Sequence, residues 1–191
     1  MVRNGSDKMS RLWLTGYRSY ELGIFSDSDP KLKVIKFALK NRLIEKIETG
    51  TTWVIAGPQL GTEQWGLMLA NELKKDYPEL QTAMMAPFAD FGQQWKSEKQ
   101  EQLAALKAKV DFYGQVSDLP YKNPQQLKNY QSFMLEHTDE ALLLYDSERE
   151  GKTKYDLMAI QRYQNQNAYD LTTIDFYDLE DEANAYAENQ E

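Results

Sequence analysis

Residues 52–63 read TWVIAGPQLGTE, an apolar run that leads into two closely spaced glycines. The first five residues are mostly aromatic or β-branched, which favours a β-strand. Beyond Gly61, apolar residues return at helical spacing, namely Trp65, Met68, Leu69 and Leu73. The stretch therefore predicts a strand, a tight turn and the first turn of a helix.

The same alternation continues along the whole chain. Apolar runs at residues 12–15, 80–86, 112–116, 141–145 and 171–176 predict further strands, and the periodic segments between them predict helices. One helix is expected to begin at Pro30, with Asp29 as its cap. Strands alternating with helices in this way predict an α/β, three-layer Rossmann-like fold, with a mainly parallel sheet of about six strands and helices on both faces.

The length and the charge distribution suggest one domain with two distinct ends. We expect an N-terminal extension at residues 1–10, a Rossmann-like domain at residues 11–178 and an acidic C-terminal helix or tail at residues 179–191. The formal net charge is −8. Residues 175–191 contain seven acidic and no basic residues, which leaves 22 basic against 23 acidic residues elsewhere. Such a nearly neutral body argues against a nucleic-acid partner.

Several residue types that carry chemistry are scarce. The chain has no cysteine, and His137 is its single histidine, which argues against a metal site or a Ser-His-Asp triad. We therefore expect no metal and no cofactor other than a nucleotide-type ligand. No apolar run approaches the roughly 20 residues that span a bilayer, and residues 1–11 lack the apolar core of a signal peptide. The expected location is the cytoplasm.

Ligands of doubly wound sheets bind at the carboxyl ends of the strands, so the residues there are the candidate site. Gly16 and Arg18 follow the first strand. Gly16 would let the backbone approach a ligand closely, and Arg18 could pair with a phosphate. The alternative is a surface loop with an exposed arginine. Gly57, Gly61 and Thr62 follow the second strand, where a helix N-terminus can hold an anion.

Glu63 has two interpretations at this helix start. A carboxylate in the first turn stabilises the helix dipole, and this alone explains its presence. Because it would repel a phosphate, a functional Glu63 is expected to accept hydrogen bonds from sugar hydroxyls instead.

Two later loops add candidates. Phe88 and Trp95 follow the third strand and either stack on a base or cover the core. Asp146, Gly151 and Thr153 follow the fifth strand and form either a second anion-binding helix start or a plain charged turn.

Several of these segments together resemble the YpsA-like family. They are GYRSYELGIF at residues 16–25, Gly61-Thr62-Glu63, Pro87-Phe88 with Trp95, and LLLYD at residues 142–146 with Gly151. The resemblance extends from about residue 9 to residue 178. The family belongs to the SLOG superfamily of Rossmann-like proteins, with the DNA-processing protein DprA and the LOG-type phosphoribohydrolases as relatives. It implies a nucleotide or nucleotide-derived ligand at Gly61 and Glu63.

The resemblance and the residues together favour a binding protein with a regulatory or sensing role in bacteria. Its ligand would be a nucleotide, an ADP-ribose-like molecule or a nucleotide sugar. Gly57, Gly61 and Thr62 would contact phosphate, Glu63 would hold ribose hydroxyls, and Arg18 would neutralise charge. A homo-oligomer and a protein that receives the signal are possible partners, and no membrane partner is expected.

Two alternatives stay open. The first is an N-glycosidic phosphoribohydrolase acting on nucleoside monophosphates, with Glu63 as its catalytic residue. The glutamate of the LOG enzymes falls where this chain has Trp65, however, and two helical positions turn a side chain by about 200°. The second is a single-stranded DNA-binding protein like DprA, which the charge argues against.

Overall fold

The structure is a computed structural model that describes residues 9–191, so most of the expected N-terminal extension lies outside the described residues. Its strands are β1 (Ser10–Gly16), β2 (Thr51–Ala56), β3 (Gln81–Ala86), β4 (Phe112–Gln115), β5 (Glu140–Leu144) and β6 (Asp170–Ile174). Its α-helices are α1 (Pro30–Glu48), α2 (Thr62–Leu73), α3 (Ser97–Lys109), α4 (Gln125–Glu136), α5 (Lys154–Gln164) and α6 (Phe176–Glu188). A short 3-10 helix, Ser19–Leu22, follows β1.

The strands form one sheet in the order β4-β3-β2-β1-β5-β6, and every pairing is parallel. The chain moves from β1 towards β4 and then crosses back to β5 and β6. Right-handed crossovers therefore place α1, α2 and α3 on one face and α4 and α5 on the other. Helix contacts agree, because α1 packs against α2 and α6, whereas α4 packs against α5. The predicted three-layer α/β fold is confirmed.

The adjacent strands β1 and β5 contribute fully buried side chains to the core. Leu12 and Leu14 of β1 and Leu142 and Leu143 of β5 are fully buried. Strands covered on both faces need such continuous apolar runs, because alternate side chains point into opposite layers. Within residues 9–191, no helix combines the length and the apolar character needed to cross a membrane.

Local capping explains two helix starts, one of which the sequence interpretation placed wrongly. Asp29 caps α1 as predicted, since its side chain accepts a hydrogen bond from the amide of Lys31 at 2.9 Å. The run at residues 171–176 does not remain a strand to its end. Asp175 accepts from the amide of Asp178 at 2.8 Å and donates its own amide to that residue's carboxylate at 3.0 Å. This capping box turns the chain into α6 at Phe176.

The loop after β1 is bound to the start of α2 through the backbone. The Ser19 amide donates to the Leu60 carbonyl at 3.0 Å, and the Thr62 amide donates to the Tyr17 carbonyl at 3.2 Å. Between them, Arg18 and Gly61 form an isolated antiparallel bridge. The connection after β2 is thereby held against the connection after β1, at the carboxyl edge of the sheet.

Replacing Gly61 with alanine is expected to destabilise the fold by about 2–5 kcal/mol. Gly61 has a φ of 116°, and an added Cβ would lie 2.5 Å from the Ser19 amide nitrogen and 2.7 Å from the Tyr17 carbonyl oxygen. Both are backbone atoms of the bridged segment, so they cannot turn aside. Urea denaturation of the variant measures the loss.

Gly23→Ala is the matched control. Its φ is 65°, but an added Cβ would meet only the end of the Lys31 side chain at 3.6 Å. The expected cost is about 1–2 kcal/mol, from the left-handed backbone alone. Equal losses in the two variants would contradict a specific role of the Gly61 contacts.

Candidate functional site

A cavity of about 480 Å³ opens at the carboxyl edge of the sheet. Thr15 of β1 lies on one side, together with Pro58 and Pro87 from the connections that follow β2 and β3. Helices α4 and α5 form the opposite wall. The cavity therefore lies where doubly wound folds bind ligands, beside the point at which the strand order reverses.

Glu63 is the most deeply buried ionisable group of this cavity, with 4% of its surface exposed. It belongs to the first turn of α2, which the backbone bridge holds in place. Burial raises the pKa of Glu63 to about 7; nearby Arg18 and a hydrogen bond from the Gly57 backbone oppose this shift, and Asp156 adds to it. Glu63 can therefore exchange a proton near neutral pH, whereas an ordinary surface glutamate cannot.

Gly57 permits this position of Glu63. A Cβ at residue 57 would lie 2.1 Å from Glu63 Oε1 and 2.7 Å from the Tyr130 hydroxyl. The glycine after β2 therefore makes room for a carboxylate and a phenol beside the backbone.

Two hydrogen-bond donors in the cavity lack partners. Among the described residues, neither Arg18 Nη1 nor the Tyr130 hydroxyl has a hydrogen-bond partner, although both atoms are buried. Burial strongly raises the pKa of Tyr130, and Glu63 and Asp156 raise it further. Unpartnered buried donors cost about 1–3 kcal/mol each, and a bound ligand could satisfy them.

Asp156 brings a second carboxylate to the cavity from α5. It accepts a hydrogen bond from Gln131 Nε2 of α4 at 2.8 Å, which links the two helices. Burial raises the pKa of Asp156, against the lowering effects of Gln131 and Arg18. Within residues 9–191, no three His, Cys, Asp or Glu side chains gather as metal ligands.

The rim of the cavity combines exposed basic and apolar side chains. Lys128, Lys152 and Arg162 are exposed and line it. Its apolar lining includes three side chains that are 42–57% exposed, those of Leu127, Tyr155 and Met158. A rim of this kind can hold anionic groups and a flat ring at the same time.

The structure brings Arg18 and Glu63 of the predicted site together in the cavity, with Gly57 in contact with Glu63. Gly61 faces the 3-10 helix instead, and Thr62 donates its hydroxyl to the Tyr17 carbonyl at 2.9 Å. Gly16 packs closely on Leu144 of β5 and on Thr62. The phosphate roles of Gly61 and Thr62 and the site role of Gly16 remain predictions.

The aromatic residues after β3 pack mainly on one another. Phe88 lies 5.2 Å from Phe91 and 5.3 Å from Tyr121, measured between ring centroids. Trp95 meets Phe91 edge-on at 5.6 Å and is packed against the core. Neither Phe88 nor Trp95 lines the cavity. This geometry favours the interpretation in which they cover the core, while base stacking stays a prediction.

The three candidates after β5 belong to a loop that is tied to the rest of the fold. The Asp146 carboxylate accepts from the amides of Glu148 and Phe176 at 2.9 and 3.1 Å. Gly151 packs beneath Glu21, whose carboxylate accepts from the next amide in the loop. Thr153 is fully buried, and its hydroxyl has no partner among the described residues. Their ligand roles stay predictions.

Sequence reasoning missed the α4 and α5 side of the cavity. It did not single out Tyr130, Gln131 or Asp156 as site residues. The available signal was the crossover rule, which carries the helix between β4 and β5 over the face that the earlier helices leave free. The rule places polar residues of that helix, such as Gln131, near the carboxyl edge of the sheet.

A larger groove of about 640 Å³ lies on the other side of α2, between α1 and α3. Gly61, Trp65 and Met68 contribute to it, and its charged residues include the exposed Lys75 and Lys109. The smaller cavity is the better candidate site because buried ionisable groups and unpartnered donors converge there.

Replacing Glu63 with glutamine should change how stability depends on pH. The folded protein retains the Glu63 proton up to about pH 7, whereas an unfolded chain releases it near 4.5. Folding is therefore favoured at low pH, and wild-type stability should fall by about 2 kcal/mol between pH 5 and 8 from this group. The variant lacks that loss, so its stability relative to wild type should rise with pH in urea denaturation.

Glu72→Gln, an exposed position on the same helix, controls for the loss of one acidic residue. Its stability curve should run parallel to that of wild type. A Glu63→Gln curve that also runs parallel would show that Glu63 is ionised in the folded protein throughout this pH range.

Comparison with known proteins assigns the chain to one family. Residues 12–179 match the model of a family described as the YspA SLOG family, YpsA. A UPF0398 protein of Pediococcus pentosaceus is 72% identical over 96% of this chain and all of its own length. UPF0398 proteins of Limosilactobacillus reuteri and Latilactobacillus sakei are 55% and 57% identical, over 95% and 94% of this chain and 97% of their own length. The chain belongs to the YpsA family of SLOG proteins, a family of nucleotide-related Rossmann-like proteins.

Proposed function

We propose that the protein binds a phosphorylated nucleoside derivative, such as an ADP-ribose-like molecule or a nucleotide sugar, in the cavity around Glu63. The observation that supports this most directly is the pair of buried, unpartnered donors, Arg18 Nη1 and the Tyr130 hydroxyl, beside Glu63. A ligand with several oxygen acceptors would satisfy them and recover their desolvation cost.

The chemistry of the lining suits each part of such a ligand. Glu63 and Asp156 can accept hydrogen bonds from sugar hydroxyls. The exposed rings and aliphatic chains at the rim, among them Tyr155 and Met158, offer a surface to a base. Lys152 and Arg162 can pair with phosphate oxygens.

The proposal includes a regulatory role. One wall of the cavity comes from the strand ends and α2, and the other comes from α4 and α5. A ligand that contacts both walls would fix the position of the α4–α5 pair relative to the sheet. The resulting change in the position of α4 and α5 would alter the outer surface of the two helices, which a partner protein could detect.

The second candidate is hydrolysis of an N-glycosidic bond in a nucleoside monophosphate. The specific observation in its favour is the pair of carboxyl groups with raised pKa values, Glu63 and Asp156, in one cavity. The bond from C1′ to the base nitrogen would break with its electron pair going to the base, which takes up a proton. Glu63 would stabilise positive charge on the ribose while a water oxygen bonds to C1′ and loses a proton.

Calorimetry with a panel of nucleotides, nucleotide sugars and ADP-ribose should identify at least one ligand. Arg18→Gln should weaken its binding by about 10- to 100-fold, because a charged hydrogen bond is lost, and Tyr130→Phe by about 5- to 10-fold. Tyr130→Phe should leave unfolding stability unchanged or higher by up to about 1 kcal/mol, since it removes an unpartnered buried hydroxyl. Loss of affinity without loss of stability distinguishes a ligand contact from a structural one.

Tyr177→Phe on α6 and Arg11→Gln at the amino end of β1 are matched controls outside the cavity. Both should bind the ligand as wild type does. Failure of the whole panel to bind, or unchanged binding by both Arg18→Gln and Tyr130→Phe, would refute the proposed binding site.

The hydrolase candidate predicts release of free base from a nucleoside monophosphate, followed by chromatography. Glu63→Gln should reduce the rate by about 100-fold or more. Because the carboxylate form is needed, the wild-type rate should rise as pH increases through about 7 and then level off. Absence of base release at enzyme concentrations equal to those of substrate would eliminate this candidate.

A further inference from the structure

Charge is distributed unevenly along the depth of the cavity. Its buried end contains one cation, Arg18, together with the two carboxyl groups of Glu63 and Asp156. This end therefore offers a phosphate a single cation, beside two carboxyl groups that repel it when they are ionised. It offers acceptors for hydroxyl groups, and the Tyr130 hydroxyl as a donor.

The rim has the opposite character. Lys128, Lys152 and Arg162 line it, and none of the three forms an ion pair with a carboxylate among residues 9–191. Within the described lining, Glu63 and Asp156 are the only acidic residues. Three basic side chains thus line the opening without an ion pair to any carboxylate of the described residues.

The start of α2 is a poor alternative for a phosphate. The Thr62 amide and hydroxyl both donate to the Tyr17 carbonyl, at 3.2 and 2.9 Å. The Gln64 amide donates to the Gln59 carbonyl at 3.3 Å. The donors that make a helix start attractive to anions are therefore largely used by the protein itself.

From this arrangement we infer that the ligand enters with a terminal, unphosphorylated sugar leading. The sugar hydroxyls lie among Glu63, Tyr130 and Asp156, and the phosphate groups pair with Lys152 and Arg162 at the rim. This inference rests on the proposed binding function and narrows its ligand class. The site selects molecules in which a phosphate links a free sugar end to a nucleoside, and it discriminates against nucleotides that end in a phosphate.

The orientation follows from desolvation as well as from charge. A phosphate at the buried end would lose its water and gain one arginine beside two carboxyl groups. A sugar at that end exchanges water for direct hydrogen bonds, among them one with the Tyr130 hydroxyl, which has no partner among the described residues. At the rim, a phosphate keeps part of its hydration while it meets two cations.

Calorimetry with two ligand pairs tests the orientation: ADP-ribose against ADP, and UDP-glucose against UDP. In at least one pair, the molecule with the terminal sugar should bind about 10-fold or more tightly than its partner. Tyr130→Phe should weaken binding of that molecule and reduce the difference, with little effect on the nucleoside diphosphate. Arg162→Gln and Lys152→Gln should weaken both members similarly, and added salt should do the same.

The other outcomes are equally informative. One contrary result is equal binding within both pairs, or tighter binding of the diphosphates, together with a similar loss of affinity for both members in Tyr130→Phe. This result would place phosphate at the buried end. It would overturn the inference but leave the proposed function standing. Wild-type affinity for both members in both rim variants would also overturn it. If none of the four molecules binds and the wider nucleotide panel also fails, the proposed function falls and the inference with it. If another nucleotide binds, only the inference falls.

Discussion

The backbone pairing of residues 17–19 with residues 60–62 is the constraint on which the site depends. It joins the loops that follow the two strands β1 and β2, through the Arg18–Gly61 bridge and its flanking hydrogen bonds. Parallel neighbours in a sheet carry their loops to the same edge, but they do not by themselves bring those loops into register. The pairing does so, and it sets Arg18 and Glu63 beside one another at the buried end of the cavity.

The buried site also makes it costly in free energy to ionise its carboxyl groups. Glu63 and Asp156 are both held where burial disfavours their ionised forms, and one arginine lies near both of them. The Glu140 carboxylate, at the other end of β5, shows the contrast. It accepts from Lys46, Thr51 and Ser10, and these contacts lower its pKa despite burial. A buried carboxylate whose hydrogen-bond partners all come from the protein, such as Glu140, is typical of a structural contact. Buried carboxyl groups with unpartnered donors nearby are typical of a binding site.

The sequence predicted the sheet and one half of the site. Strand runs such as residues 141–145 are unambiguous because burial on both faces demands continuous apolar residues. Arg18 and Glu63 were identifiable because they follow strands directly along the chain. Tyr130 and Asp156 were not identified, since they reach the cavity from helices far away in sequence. The phosphate role of Thr62 stays a prediction; the hydrogen bond from its hydroxyl to the Tyr17 carbonyl is a tertiary contact that periodicity cannot reveal.

The two halves of the cavity also differ in how firmly they are held. Gly57, Gly61 and Gly16 each leave no room for a side chain, because backbone or buried atoms lie within 3 Å of an added Cβ. The strand side of the site is therefore closely packed. On the helix side, Gln131 and Asp156 share one hydrogen bond, and the basic rim residues are exposed. In the proposed sensing role, a ligand that contacts both walls would meet closely packed residues on the strand side and exposed side chains on the helix side, so its effect would be transmitted to α4 and α5 rather than to the sheet.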